Sequence, residues 1–121
     1  KYNVKINALA PTAGTRMTEG LSEERAFALL TPETVTPAAL YLVCEDAPTR
    51  TILAAGGGSF AVAKIVETEG MWLPEAQQTP EGIAANWAQI SEGGERALQA
   101  GYEQSIKMVG QAAKGLGLEM G

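Results

Sequence analysis

The sequence predicts an α/β fold: a short parallel sheet followed by an added β-hairpin and C-terminal helices. Three observations predict it. Val4, Ile6, Ala8 and Ala10 alternate along a strand-like run that stops at Pro11, which cannot donate to a ladder. Thr51-Ile52-Leu53-Ala54-Ala55 is a second strand, and helical sequence lies between the two. A strand, a helical crossover and a second strand give parallel neighbours. Finally, Thr31-Pro32-Glu33, Thr36-Pro37 and Thr79-Pro80-Glu81 each read as a helix start, with a hydroxyl cap and Pro at the first helical position.

The elements follow in order. Val4 to Ala10 has polar residues only at Lys5 and Asn7, so the strand is expected to be largely buried. Pro11 to Thr15 is a loop of small residues. A helix is expected over Thr18 to Leu30, with Leu21, Ala26, Phe27 and Leu30 on an apolar face. The main helix is expected from Pro37 to Glu45. It is apolar all round and so buried on more than one side, with Cys44 an inert core thiol. Gly56-Gly57-Gly58 reads as a turn after the second strand. Residues 60–68 alternate, and Gly70 to Leu73 is expected to pair back as a hairpin over 60–73. A helix over 80–91 carries the stripe Ile83, Trp87, Ile90. A last helix over 95–114 carries Leu98, Tyr102, Ile106 and Val109. The expected division is 1–58 and 59–121.

Composition removes several functions. The chain has 121 residues, a formal net charge of -5, one cysteine and no histidine. A Ser–His–Asp or Cys–His nucleophile cannot be assembled from it. Zinc sites need more Cys and His, so no metal site is expected. A single Cys makes no internal disulfide, which fits a reducing compartment. The acidic balance argues against nucleic acid, and no apolar run approaches the roughly 18–20 residues of a membrane span. Lys1-Tyr2-Asn3-Val4-Lys5 carries no signal-peptide pattern and lacks Met. Two parallel strands alone do not make a buried sheet, so the expectation is a piece of a longer chain.

Val4-Lys5-Ile6-Asn7-Ala8-Leu9-Ala10-Pro11 resembles the sixth strand of short-chain dehydrogenase/reductases, and the stretch from Pro37 to Gly58 resembles their last helix and strand. Within that superfamily, Ala10 to Thr18 and Thr79-Pro80-Glu81 with Asn86-Trp87 are similar to the (3R)-hydroxyacyl-CoA dehydrogenase unit of multifunctional β-oxidation enzymes. The resemblance implies the C-terminal portion of a Rossmann-like doubly wound parallel sheet. It implies that the Gly-rich dinucleotide turn and the catalytic Ser, Tyr and Lys lie before Lys1. No Tyr-x-x-x-Lys occurs in this chain, so no catalytic residue is expected here and the 121 residues alone are expected to be inactive.

The same resemblance implies cofactor contact by Pro11, Thr12, Ala13, Gly14, Thr15, Met17 and Thr18. Ligands of open α/β sheets bind beyond the carboxyl ends of strands, where this loop lies. The plain alternative is a Pro-Gly turn with no ligand. The commoner superfamily loop begins Pro-Gly, whereas Thr12 follows Pro11 here. Residues 18–30 would be a substrate lid, with Arg16, Leu21 and Phe27 as candidate contacts. Arg16 as a solvated or ion-paired side chain is the alternative.

The expected function is part of an NAD-dependent short-chain oxidoreductase, NADP being the alternative cofactor, that oxidises 3-hydroxyacyl-CoA to 3-ketoacyl-CoA. The rivals are a ketoreductase or steroid-type member of the superfamily, and a non-catalytic oligomerisation or binding module. The expected partners are the nicotinamide cofactor, an acyl-CoA-like substrate and a second copy in a homodimer. No nucleic acid or membrane is expected. The chain ends Glu119-Met120-Gly121 rather than in a Ser-Lys-Leu-type signal, so the cytoplasm is the expected location.

Overall fold

The computed structural model describes residues 2–21 and 23–119. It divides into two compact units, Lys1–Lys64 and Ile65–Gly121.

The first unit is organised by the parallel pair β1 (Asn7–Pro11) and β2 (Thr51–Gly56). Asn7 sets their register. Its side-chain amide donates to Pro48 O at 2.8 Å, and its Oδ1 accepts from Thr51 N–H at 3.0 Å. The ladder then runs from Asn7–Thr51 to Pro11–Ala55. The strand ends at Pro11, whose nitrogen faces away from β2, since the bond to Ala55 O is made by Thr12 N–H. A third strand, β3 (Ser59–Ala63), folds back antiparallel on β2 through Gly57-Gly58. Both glycines have positive φ, +59° and +80°, which suits a two-residue hairpin turn. The sheet order is β1-β2-β3.

Between β1 and β2 lie α1 (Glu24–Leu29), a 3-10 turn (Pro32–Thr34) and α2 (Thr36–Leu42). Val35, Ala38 and Ala55 form the buried core, with Leu9, Ala13 and Leu53 packed on it. Ala38 is 2% exposed: a methyl group is all that fits where α2 meets the sheet.

Several expectations are corrected here. The ladder begins at Asn7, and Val4 and Ile6 are exposed rather than buried. The helix expected over 18–30 is only α1. Residues 16–20 are turns, and Gly20, at φ +83°, takes a backbone that continued helix does not. The helix expected over 37–45 starts one residue earlier and stops at Leu42. Only Ala38 in it is buried; Leu40, Tyr41, Val43 and Cys44 face out, so the thiol is exposed rather than in the core. The hairpin expected over 60–73 does not form. Residues 59–63 are already paired with β2, and residues 70–73 are not strand. The first unit accordingly runs to Lys64, beyond the expected junction at 58.

The second unit has little sheet: β4 (Val66–Glu67) pairs antiparallel with β5 (Arg96–Ala97). A 3-10 turn (Glu75–Gln77) precedes α3 (Pro80–Ala85) and α4 (Trp87–Ser91), and α5 (Gly101–Gly115) closes the unit. The third of these helix starts, Thr79-Pro80-Glu81, behaves as expected: Thr79 Oγ1 accepts from Gly82 N–H at 3.0 Å. The helix expected over 80–91 is broken at Asn86, whose side chain donates to Gly82 O at 2.7 Å. The helix expected over 95–114 begins only at Gly101, because Arg96 and Ala97 are held in β5.

The face of α5 is a further correction. Tyr102, Ile106 and Val109 are exposed, Ile106 at 64%. The half-covered face instead carries Glu103, Lys107 and Gln111. Lys107 forms an ion pair with Glu67 and donates to Thr68 O at 2.9 Å; Gln111 donates to Glu69 O at 3.0 Å. Among the described residues, no helix is long and apolar enough to cross a membrane.

Candidate functional site

The loop leaving β1 is built almost entirely by backbone. Thr12 N–H donates to Ala55 O at 2.8 Å, extending the parallel ladder by one bond. Thr12 there lies against Gly56: a Cβ on Gly56 would stand 2.7 Å from Thr12 O and 2.9 Å from its Cβ. Gly14 N–H donates to Leu30 O, so the far end of α1 holds the middle of the loop. A Cβ on Gly14 would press on Phe27 O at 2.9 Å, on the Phe27 ring at 3.1 Å and on Leu30 O at 3.2 Å. Glycine is needed at both positions for close approach, not for a left-handed φ.

The threonines finish the loop. Thr18 Oγ1 accepts from Thr15 N–H at 2.9 Å and lies 3.0 Å from Ala13 O and 3.2 Å from Thr15 O. Thr15 Oγ1 accepts from Met17 N–H at 3.3 Å. Among the described residues, the Thr12 hydroxyl, the Ala13 N–H and the Thr15 hydroxyl proton have no partner within the protein. Thr12 and Thr15 are exposed and Ala13 half-buried. Together these groups form a small polar ledge at the carboxyl end of a parallel strand.

The candidate residues thus separate. Pro11 ends β1, and Thr12, Ala13, Gly14, Thr15 and Thr18 form one hydrogen-bonded loop. Met17 joins it only through its N–H, on Thr15, and its side chain stands out at 91% exposure. Of the lid candidates, only Phe27 meets the loop, at Gly14; Arg16 and Leu21 are exposed in the turn region before α1. Two features escaped the sequence reading. The Leu30 carbonyl is a partner of Gly14, and backbone acceptors leave no mark in sequence. Thr34 Oγ1 accepts from Gly57 N–H at 3.1 Å and donates to Thr31 O at 2.6 Å, tying the 3-10 turn to the β2–β3 turn. Thr31, expected to cap the helix with its hydroxyl, makes no such bond.

In the second unit the notable electrostatic feature is Glu67. The Lys107 ammonium bonded to its carboxylate, helped by Gln104, holds its pKa below the ordinary glutamate value. Desolvation opposes this and is outweighed. Beside it, an open groove of about 550 Å³ is lined by Met71, Trp72, Leu73, Ile83, Ile90 and Met108, among others. Among the described residues, no cluster of His, Cys, Asp or Glu could hold a metal ion.

No family model matches the chain. Over 93 residues the chain is 34% identical to a protein of Mycobacterium tuberculosis named as a short-chain type dehydrogenase/reductase; the match covers 76% of this chain and 32% of that protein. The relatives of this chain are a short-chain type dehydrogenase/reductase and peroxisomal multifunctional enzymes. The peroxisomal hydratase-dehydrogenase-epimerase of Neurospora crassa is 34% identical over 95 residues, covering 76% of this chain and 11% of that protein. The mouse peroxisomal multifunctional enzyme type 2 is 33% identical over 95 residues, with 76% and 13% covered. The full-length multifunctional enzyme type 2 of Drosophila melanogaster superposes with a TM-score of 0.75 at 22% identity, over 93% of this chain and 21% of that one. The fold is therefore the α/β, Rossmann-like one expected. The chain spans no more than about a third of the length of these relatives.

Proposed function

We propose that this chain forms the cofactor-side loop and the final strands of an NAD-dependent oxidoreductase that oxidises 3-hydroxyacyl-CoA to 3-ketoacyl-CoA. The observation that carries this reading is the loop Pro11–Thr18, a ledge of small residues beyond the carboxyl end of a parallel strand with donors left to offer. Its donor set fits a dinucleotide. The Ala13 N–H suits a carboxamide oxygen, and the hydroxyls of Thr12 and Thr15 suit carboxamide or phosphate oxygens. When bound, the nicotinamide would take the hydride from the substrate's hydroxyl-bearing carbon. The chain's own part is to hold and orient that ring. Proton transfer falls to a Tyr–Lys–Ser group which, by the family resemblance, lies outside these 121 residues.

Relatives named as peroxisomal hydratase-dehydrogenase-epimerases fit the acyl-CoA reading, and the substrate panel separates it from the ketoreductase and steroid alternatives. The test uses the full natural protein with NAD and NADP in parallel. Turnover of a 3-hydroxyacyl-CoA with NAD is the expected result. Failure to bind either nicotinamide overturns the reading; turnover of ketones or steroids alone moves it to the rival substrate class.

The homodimer remains part of the proposal, supported by the exposed stripe Tyr102, Ile106, Val109 on α5. Sedimentation equilibrium that finds only monomer would remove it. A cytoplasmic location is likewise proposed, and cell fractionation tests it.

A further inference from the structure

A threonine hydroxyl has one proton to donate and two lone pairs to accept with. At Thr18 these are largely spent inside the loop. Its oxygen accepts the Thr15 N–H at 2.9 Å, and its proton faces the carbonyls of Ala13 at 3.0 Å and Thr15 at 3.2 Å. Thr15 keeps its proton, because its hydroxyl only accepts, from Met17 N–H at 3.3 Å. Thr18 therefore ties together two of the three residues that carry the loop's available donors, Ala13 and Thr15; the third is Thr12. The loop is separately anchored by Thr12 N–H on Ala55 O and Gly14 N–H on Leu30 O. Loss of the tie should disorient residues 13–15 without releasing the loop from the sheet.

We propose that Thr18 is a positioning residue that acts through Ala13 and Thr15, not a group that touches the cofactor. This rests on reading the loop as cofactor-facing. The energetic scale is that of a hydrogen bond: a net loss of one or two such bonds corresponds to about a tenfold change in an equilibrium constant.

The test measures NADH affinity of the full natural protein, by energy transfer from tryptophan, for T18V, T18S, T15V and the T15V/T18V double variant. The expected result is about a tenfold loss for T18V, rescue in T18S, and a double variant whose loss is smaller than the product of the two single losses, because the part of Thr18's effect that passes through the Thr15 hydroxyl is already gone in T15V while the part through Ala13 remains. Three results overturn the proposal: T18V binding as tightly as the unmodified protein, T18S failing as T18V does, or losses in the double variant that multiply. Absence of NADH binding by the unmodified protein would instead overturn the functional reading. Amide exchange of Thr15 in the cofactor-free protein then still decides the tie: faster exchange in T18V, but not in T18S, upholds it, and unchanged exchange in T18V refutes it.

Discussion

The two units hold themselves together by different means. The first relies on backbone and on small side chains: the β1–β2–β3 ladder, Ala38 and Ala55 in the core, and glycines at 14 and 56 where chain touches chain. The second has two residue pairs of sheet, and side chains clasp its backbone instead: Lys107 on Thr68, Gln111 on Glu69, Gln78 on Leu73 at 2.8 Å, Thr68 on Ile90 at 2.7 Å. A backbone-built unit tolerates no added volume. A side-chain-built unit is sensitive to charge and to the loss of single donors.

The largest expected effects come from added volume, and the first lies in the core of the first unit. Ala38→Leu adds volume at a 2% exposed position and should cost about 1–3 kcal/mol of stability, seen as a lower urea midpoint. Hydrogen exchange should place the loss in Lys1–Lys64; a loss spread equally over both units would break the contrast.

Gly115→Ala probes whether the second unit has a tight point of its own. A Cβ there would run into the fused ring of the Trp72 indole, which would have to move as a whole, so a cost of about 1–3 kcal/mol is expected. A red-shifted tryptophan emission should accompany it.

Acid should act chiefly on the second unit. Glu67 has its pKa lowered by Lys107 in the folded chain, so the folded state binds fewer protons than the unfolded state. Its contribution is fully present above the unfolded glutamate value, about 4.3, and is lost as pH falls through the lower folded value. Midpoints measured between neutral and acid pH should fall more for the natural chain than for Glu67→Gln. Parallel curves would show that the clasp carries no pH dependence.

The smallest effect belongs to Cys44→Ser. The thiol is exposed, so stability should change by less than about 0.5 kcal/mol, and a thiol reagent should label the natural chain without denaturant.

Much of the first unit was legible in the residues. Pro11 marks the end of β1, though its start at Asn7 was not legible; Gly57-Gly58 marks a turn, and Thr12 to Thr18 reads as a small-residue loop beyond a strand. Each depends on backbone chemistry that its own residues carry. The errors arose where partners are far apart in sequence. Lys107 pairs with Glu67, a partner far back in the chain that no local pattern marks. Residues 60–63 and 70–73 both look strand-like, and only the prior claim of β2 decides between them. The apolar stripe of α5 promised a buried face, and the polar face is the one covered.

By itself the sequence determined the α/β class, the parallel crossover, the site of the candidate loop and the lack of histidine chemistry. These follow from local backbone preferences and from which functional groups exist at all. The tertiary structure alone decided which carbonyl holds Gly14, which threonine still has a proton to offer, and which face of α5 is covered. Those outcomes depend on distances between residues that no local preference specifies.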